Sequence, residues 1–307
     1  MYISYFGFNE KPFSLTPNPR YLFLSRHHRE AFAHLLYGID NRYGFIALTG
    51  EVGTGKTTVL RTLLEQLQDE NHRTALVFNP CLSGVELLQT IASEFGIATE
   101  SSQTNEILAD LNRFLLSENS AGRTVVLVID EAQNLATDVL EQIRLISNLE
   151  TVNDKLIQII LAGQPELEEV LQQPELRQLN QRIAIRYRLR SMDKIETESY
   201  ILHRMEVAGN IHGAGFTKAA MQILYLNSNG IPRMINILAD RCLLIAYGED
   251  KREITGAIAT KASYELAELP ENYVIPSRWL ITGLLAFIIL MALAIAFILY
   301  RRSAGAL

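Results

Sequence analysis

Five apolar runs punctuate the first two thirds of the chain, and amphipathic stretches separate them. Phe45-Ile46-Ala47-Leu48, Thr74-Ala75-Leu76-Val77-Phe78, Thr124 to Ile129, Leu156 to Ala162 and Ile183 to Arg190, the last with alternating arginines, read as strands. The third and fourth are continuous rather than alternating, which is the pattern of strands buried on both faces of a parallel sheet. Between them lie helical spacings. Ser25 precedes Ala31, Phe32, Leu35, Leu36 and Ile39. Leu60, Leu63, Leu64 and Leu67 follow the first strand. Ser83-Gly84-Val85-Glu86 is a capping box for a helix ending at Gly96. Helices are also predicted over 106–117, from a Thr137 cap through Leu140, Ile143, Ile146 and Leu149, and over 166–181, with a polar loop at 100–105.

After Arg190 the pattern changes. Asp193-Lys194-Ile195-Glu196, Thr217, Gly230-Ile231-Pro232-Arg233 and Thr255 each open a helix, the third with proline at its first position, where a missing N–H costs nothing. No strand-like run appears in 193–268, so this region is expected to be an all-helical domain. Residues 1–24, with seven aromatics and Pro12, Pro17 and Pro19, read as an extended segment lying across a domain. Trp279 to Tyr300 is 22 residues without a charge, bounded by Arg278 and Arg301-Arg302. At about 1.5 Å per residue it reaches across a ~30 Å hydrocarbon core, so a transmembrane helix is expected there.

The chemistry sits where strands end. Gly50-Glu51-Val52-Gly53-Thr54-Gly55-Lys56-Thr57-Thr58 has the form G-x-x-x-x-G-K-T between a strand and a helix. Glycines let the backbone curl so that its N–H groups meet phosphate oxygens, and the helix N-terminus adds positive potential. Lys56 is placed for the β- and γ-phosphates and Thr57 for Mg²⁺. The third strand ends in Asp130-Glu131. In a nucleotide-hydrolysing fold Asp130 holds Mg²⁺ and Glu131 polarises the attacking water. Gln164, at the tip of the fourth strand, is a candidate γ-phosphate sensor, and Arg233 a residue that reaches the triphosphate. Arg186, Arg188 and Arg190 make one strand face basic, open to a solvated edge, to phosphate at a subunit boundary or to nucleic acid. Asp130-Glu131-Ala132-Gln133 matches a helicase box only superficially, since no Ser-Ala-Thr segment follows. No Asn-Lys-x-Asp segment is present, which favours ATP over GTP.

Composition narrows this picture. The 307 residues carry a net charge of −6 with 48% apolar residues, enough for a large core and against a protein dominated by non-specific nucleic-acid binding. Cys81 and Cys242 lie far apart in no ligand spacing and read as reduced core residues. The first 30 residues lack a cleavable secretory signal.

Together these motifs resemble the AAA+ ATPases, and more narrowly the ExeA/GspA secretion ATPases, over about residues 1–268. Tyr5-Phe6-Gly7-Phe8, Pro12-Phe13, Arg29-Glu30-Ala31, Gly50 to Thr58, Asp130 to Gln133, Gly163-Gln164-Pro165-Glu166-Leu167, Gln181-Arg182-Ile183 and Gly230 to Asn236 carry the likeness. The resemblance implies a five-stranded parallel sheet in the order 5-1-4-3-2 and ring-like homo-oligomers with ATP at subunit boundaries. It assigns Arg182 as a finger reaching a neighbour's γ-phosphate and Arg233 as a sensor on a lid. It implies work in type II secretion, pilus assembly or polysaccharide export beside an inner-membrane partner protein.

The expected organisation is a P-loop AAA+ α/β nucleotide-binding domain over 1–192, a helical lid over 193–268, a linker over 269–278, a transmembrane helix over 279–300 and a short tail over 301–307. The expected protein is an ATPase using ATP and Mg²⁺, anchored in the lipid bilayer of the inner membrane by a single pass, its catalytic domain in the cytoplasm. Secretion members carry a long peptidoglycan-binding part; only seven residues follow the apolar segment here, so direct cell-wall binding is not expected unless the chain is a fragment of a longer protein. The alternatives are a DNA-binding regulator of the transposition-ATPase type, disfavoured by the acidic charge, and a nucleotide-gated scaffold that does not hydrolyse.

Overall fold

The structure is a computed structural model that describes residues 1–16, 18–78, 82–98, 103–150, 155–209 and 214–267. Residues Met1–Ser263 form one unit. Its chain order is α1 (Tyr2–Phe6), α2 (Arg26–Asp40), β1 (Phe45–Gly50), α3 (Lys56–Gln66), β2 (His72–Val77), α4 (Gly84–Glu94) and α5 (Thr104–Ser120). There follow β3 (Thr124–Ile129), α6 (Thr137–Ile146), β4 (Ile157–Gly163), α7 (Glu166–Leu171), α8 (Arg177–Arg182) and β5 (Ile183–Leu189). The last third holds α9 (Lys194–Val207), β6 (Gly215–Phe216), α10 (Lys218–Ser228), α11 (Pro232–Gly248), β7 (Glu253–Ile254) and α12 (Gly256–Ala267).

The sheet order is β2-β3-β4-β1-β5 with every pairing parallel. Every strand therefore ends on the same edge, and the loops that leave that edge are neighbours in space. Alternate residues face opposite layers. Phe45, Ala47, Val125, Leu127, Ile129, Ile159 and Leu161 point to the larger core with α4, α5 and α6. Ile46, Leu48, Val126, Val128, Ile160 and Ala162 point to the smaller one under α2 and α3. This two-sided burial is why the central strands carry no polar alternation.

Several helix starts follow the expected caps. Ser25 Oγ accepts from the His28 N–H, and both halves of the capping box are made at Ser83 and at Asp193. Four expectations are corrected. Thr137 is the first residue of α6 rather than its cap; Ala136 occupies the cap in an extended conformation. The helix expected over 166–181 is broken, because Pro174 opens a short 3₁₀ turn between α7 and α8. The 193–268 region contains a two-residue parallel pair, Gly215–Phe216 with Glu253–Ile254, too short to register as a strand pattern. Residues 1–24 are not wholly extended, since Tyr2–Phe6 forms a helix closed by Gly7 at φ 75.

That first segment packs on the C-terminal helices. Tyr2 donates its hydroxyl to Asp240, and Tyr5 donates to Asp250 at 3.0 Å. Arg204, itself buried, donates to the carbonyls of Pro12 at 2.6 Å and Ser14 at 3.1 Å and lies 4.7 Å from the centre of the Tyr21 ring. Cys242 is buried and unpaired, which pushes its thiol up to about 12; Cys81 lies outside the described residues.

The expectation of a single-pass inner-membrane protein with a cytoplasmic ATPase domain is corrected. Among the described residues no helix is long and apolar enough to cross a membrane. The longest, α5 and α11, have 17 residues each and carry Glu106, Asp110, Arg113 and Glu118, or Arg233, Asp240 and Arg241. At about 1.5 Å per residue such a helix falls short of a ~30 Å core, and its charges oppose insertion. The 269–278, 279–300 and 301–307 assignments lie outside the described residues.

Candidate functional site

β1 delivers the chain to the carboxyl edge of the sheet and ends at Gly50. The turn that follows depends on glycine. Gly53 and Gly55 have φ values of 81 and 101, the left-handed region that glycine adopts without strain. A Cβ on Gly53 would come within 2.6 Å of the Arg233 Cβ, so the turn also needs the bare backbone for space. Gly55 caps α3, whose first N–H groups have no carbonyl a turn behind them and are left for an external acceptor. Lys56 is buried, its Nζ donating to the carbonyls of Gly50 at 2.7 Å and Glu51 at 3.2 Å. Burial pushes its ammonium down, and the carboxylates of Glu131 and Asp130 oppose that shift.

The acidic strand end lies against the loop. Thr57 Oγ1 donates to Asp130 Oδ2 at 2.8 Å, and the Glu131 N–H donates to Asp130 Oδ1 at 2.9 Å. Glu131 has φ 55, a left-handed conformation that costs a non-glycine residue about 1–3 kcal/mol. The strained turn holds the carboxylate clear of its strand. Gln133 Nε2 donates to Glu131 Oε2 at 2.7 Å, and Gln164 Nε2 donates to the same oxygen at 3.2 Å. Gln133 Oε1 in turn accepts from the Gln164 N–H at 3.0 Å. Two amides thus converge on Oε2, and Oε1 takes no bond among the described residues.

The fold brings Lys56, Thr57, Asp130, Glu131 and Gln164 to one edge. It brings Arg233 as well, through the Arg233 N–H, which donates to the Gly53 carbonyl at 3.3 Å. Arg182 is elsewhere. It is the last residue of α8, at the amino end of β5, and Nη1 donates to Ser147 Oγ at 3.1 Å. Seven residues of β5, about 23 Å at ~3.3 Å each, separate it from the carboxyl edge. Of the basic strand face, Arg186 donates to Asn180, and Arg188 lies 3.4 Å from Glu51.

The residues present fit a magnesium nucleotide. The buried ammonium and the helix N-terminus suit a polyphosphate. The Thr57 hydroxyl and Asp130 carboxylate, already in contact, are the oxygen donors that a small hard cation takes. Among the described residues no cluster of three or more His, Cys, Asp or Glu forms a metal cage of its own.

Sequence pattern missed two residues at this site. Gln133 orients Glu131. His28, in the first turns of α2, is 3% exposed and places Nε2 at 2.8 Å from the Thr54 carbonyl, inside the phosphate loop. The clue to His28 was periodicity: its position falls on the buried face with Ala31 and Leu35.

Residues 39–171 match the family described as AAA domain. Over 273 residues the chain is 46% identical to general secretion pathway protein A of Aeromonas hydrophila, an alignment that takes in 89% of this chain and 50% of that protein. The chain therefore spans about half the length of this curated relative. Among solved structures it is similar to Cdc6p of Pyrobaculum aerophilum, with TM-score 0.64, 23% identity and coverage of 84% of this chain and 74% of that one. It is also similar to the Aeropyrum pernix ORC2 protein, with TM-score 0.59, 16% identity and coverage of 85% and 75%. The RuvB branch migration motor of Thermotoga maritima gives TM-score 0.54, 18% identity and coverage of 80% and 70%. At these identities the three structures speak to the fold alone.

Proposed function

The chain is an ExeA/GspA-like AAA+ protein, and from that premise we propose that it binds ATP with Mg²⁺ and hydrolyses it to drive assembly or operation of a secretion machine. The observation that carries this reading is the gathering of Lys56, Thr57, Asp130, Glu131 and Gln164 at the carboxyl edge of one parallel sheet.

Each residue takes a role that its geometry supports. The backbone from Gly50 to Thr58 binds the phosphates, and Lys56 neutralises them from a site of low dielectric. Thr57 and Asp130 would hold the Mg²⁺, which would supply charge neutralisation for the bound triphosphate. Glu131 accepts a proton from the attacking water through Oε1, the oxygen that Gln133 and Gln164 leave open. Gln164 reads the γ-phosphate from the strand tip. Helices α9 to α12 act as the lid, and Arg233 is its sensor, joined to the loop at Gly53.

Arg182 lies too far from its own loop to reach the same nucleotide, which suits a finger acting on a neighbouring copy in a ring-like oligomer. The secretion context rests on the name of the relative from Aeromonas hydrophila and on the half of its length that aligns. A partner protein of a secretion or pilus system is the cargo side of this proposal. The DNA-binding alternative is not carried forward, since the net charge is −6 and the β5 arginines 186 and 188 face partners within the chain.

Steady-state phosphate release tests the reading. The unsubstituted chain turns ATP over, Glu131→Gln binds it without turnover, and Lys56→Ala does neither. Nucleotide binding without any phosphate release by the unsubstituted chain or its oligomer would leave a nucleotide-gated scaffold instead.

A further inference from the structure

We infer that His28 is a positioning residue for the phosphate loop: held by Ser25, its ring fixes the Thr54 carbonyl and so sets the direction of the Gly55 N–H. This inference rests on the reading of residues 50–58 as a nucleotide cradle and adds a residue from outside that motif.

The hydrogen bonds determine the proton's position. The Thr54 carbonyl only accepts, so Nε2, 2.8 Å away, carries the hydrogen. Nδ1 of a neutral ring is then an acceptor, and the Ser25 hydroxyl at 2.7 Å is its donor. A relay results: Ser25 O–H to Nδ1, then Nε2–H to the Thr54 carbonyl. Burial pushes His28 down from its usual range, against the Thr54 bond and the charge of Glu196 and with that of neighbouring His27. The ring is therefore neutral at pH 7.

The Thr54–Gly55 peptide is planar and trans, so its C=O and N–H point in opposite directions. A carbonyl drawn toward His28 sends the Gly55 N–H to the other side of the loop. In the proposed reading that side faces the phosphates. Gly55 shows the same fit from the other partner: a Cβ there would stand 2.6 Å from Nε2, so the bare glycine admits the ring as well as the turn. The loop is thus held at two points by elements distant in sequence, at Gly53 by Arg233 of α11 and at Thr54 by His28 of α2. His28 lies just after the strap formed by residues 1–24, which packs on α9 and α11.

Equilibrium binding of Mg-ADP to the full chain, with ¹⁵N NMR of the His28 imidazole, tests the assignment. In the nucleotide-free, unsubstituted chain the ring reads as the Nε2-protonated neutral tautomer at pH 7. His28→Leu, which keeps the bulk and lacks the donor, weakens Mg-ADP about tenfold, the scale of one lost buried hydrogen bond. His28→Gln, whose amide N–H extends to about the reach of Nε2, stays within about threefold of the unsubstituted chain. Both melt at similar temperatures without nucleotide. Unchanged binding by His28→Leu overturns the inference, as do equal losses in Leu and Gln or an Nδ1-protonated ring. The NMR result stands even if a variant does not fold. Lys56→Ala serves as the reference. If it retains full affinity, the cradle itself is misread; if it loses affinity while His28→Leu does not, only the role of His28 fails.

Discussion

At the scale of single residues the site depends on a few short contacts. Glu131 accepts from Gln133 at 2.7 Å, and that bond aims the carboxylate. Replacing Gln133 with Leu is expected to lower kcat by about 10- to 100-fold while nucleotide affinity stays near its original value, the pattern of a lost supporting partner. Stopped-flow phosphate release beside a binding titration checks the split. His28 also gives a pH signature in stability. Its folded-state pKa lies below the ordinary value of about 6.5, so at acid pH the unfolded chain binds the extra proton. Its contribution is fully present above about pH 6.5 and is lost as pH falls through the depressed folded value. Urea midpoints measured from pH 7.5 to 5 should therefore fall more steeply for the unsubstituted chain than for His28→Gln.

Lys56, Thr57, Asp130 and Glu131 were legible in sequence because motif spacing and strand ends place them locally. His28 and Gln133 were not. His28 meets Thr54, 26 residues away, only in the fold. Gln133 lies two residues from Glu131, but its amide reaches back only because Glu131 takes the left-handed turn and Gln164, 31 residues on, joins it.

At the scale of elements, burial on two sides decided what could be read. β1, β3 and β4 are almost wholly apolar because both of their faces are covered, and the buried Gln158 in β4 is satisfied by the Gly44 N–H. β6 and β7, at two residues each, have no period to detect. The break between α7 and α8 turns on Pro174, which ends one helix and opens the next turn. Arg182 was singled out by the family resemblance; that it stands at the opposite edge from the loop emerged only with the sheet.

The joint between the last strand and the helical segment depends on Gly230. It has φ 70, its carbonyl accepts from the Met192 N–H at 2.9 Å, and a Cβ there would stand 1.9 Å from the Met192 carbonyl oxygen. Gly230→Ala is expected to destabilise by at least about 2 kcal/mol, the sum of a left-handed alanine and a backbone clash. A guanidinium midpoint that does not move would remove this joint from the account. Ser83→Ala, which opens a complete capping box, should cost about 1 kcal/mol in the same assay.

At the scale of the whole molecule the parallel sheet separates two ends. The carboxyl edge holds Lys56, Thr57, Asp130, Glu131 and Gln164, and the amino edge holds Arg182. In the proposed reading Arg182 serves a neighbouring copy, and the active unit is then larger than one chain. Arg182→Ala should be inactive alone and recover part of its activity when mixed with Lys56→Ala, because each supplies what the other lacks. No recovery would place Arg182 outside the reaction. The first segment on α9 and α11, with Arg233 and His28 on the loop, ties the C-terminal helices to residues 50–58. The most direct measurement is titration of the folded 307-residue chain with Mg-ATP, beside Lys56→Ala. Saturable one-to-one binding that disappears in Lys56→Ala, with both chains equally folded, is the predicted result. No binding, or equal binding by the two, would contradict the nucleotide cradle and the mechanism built on it.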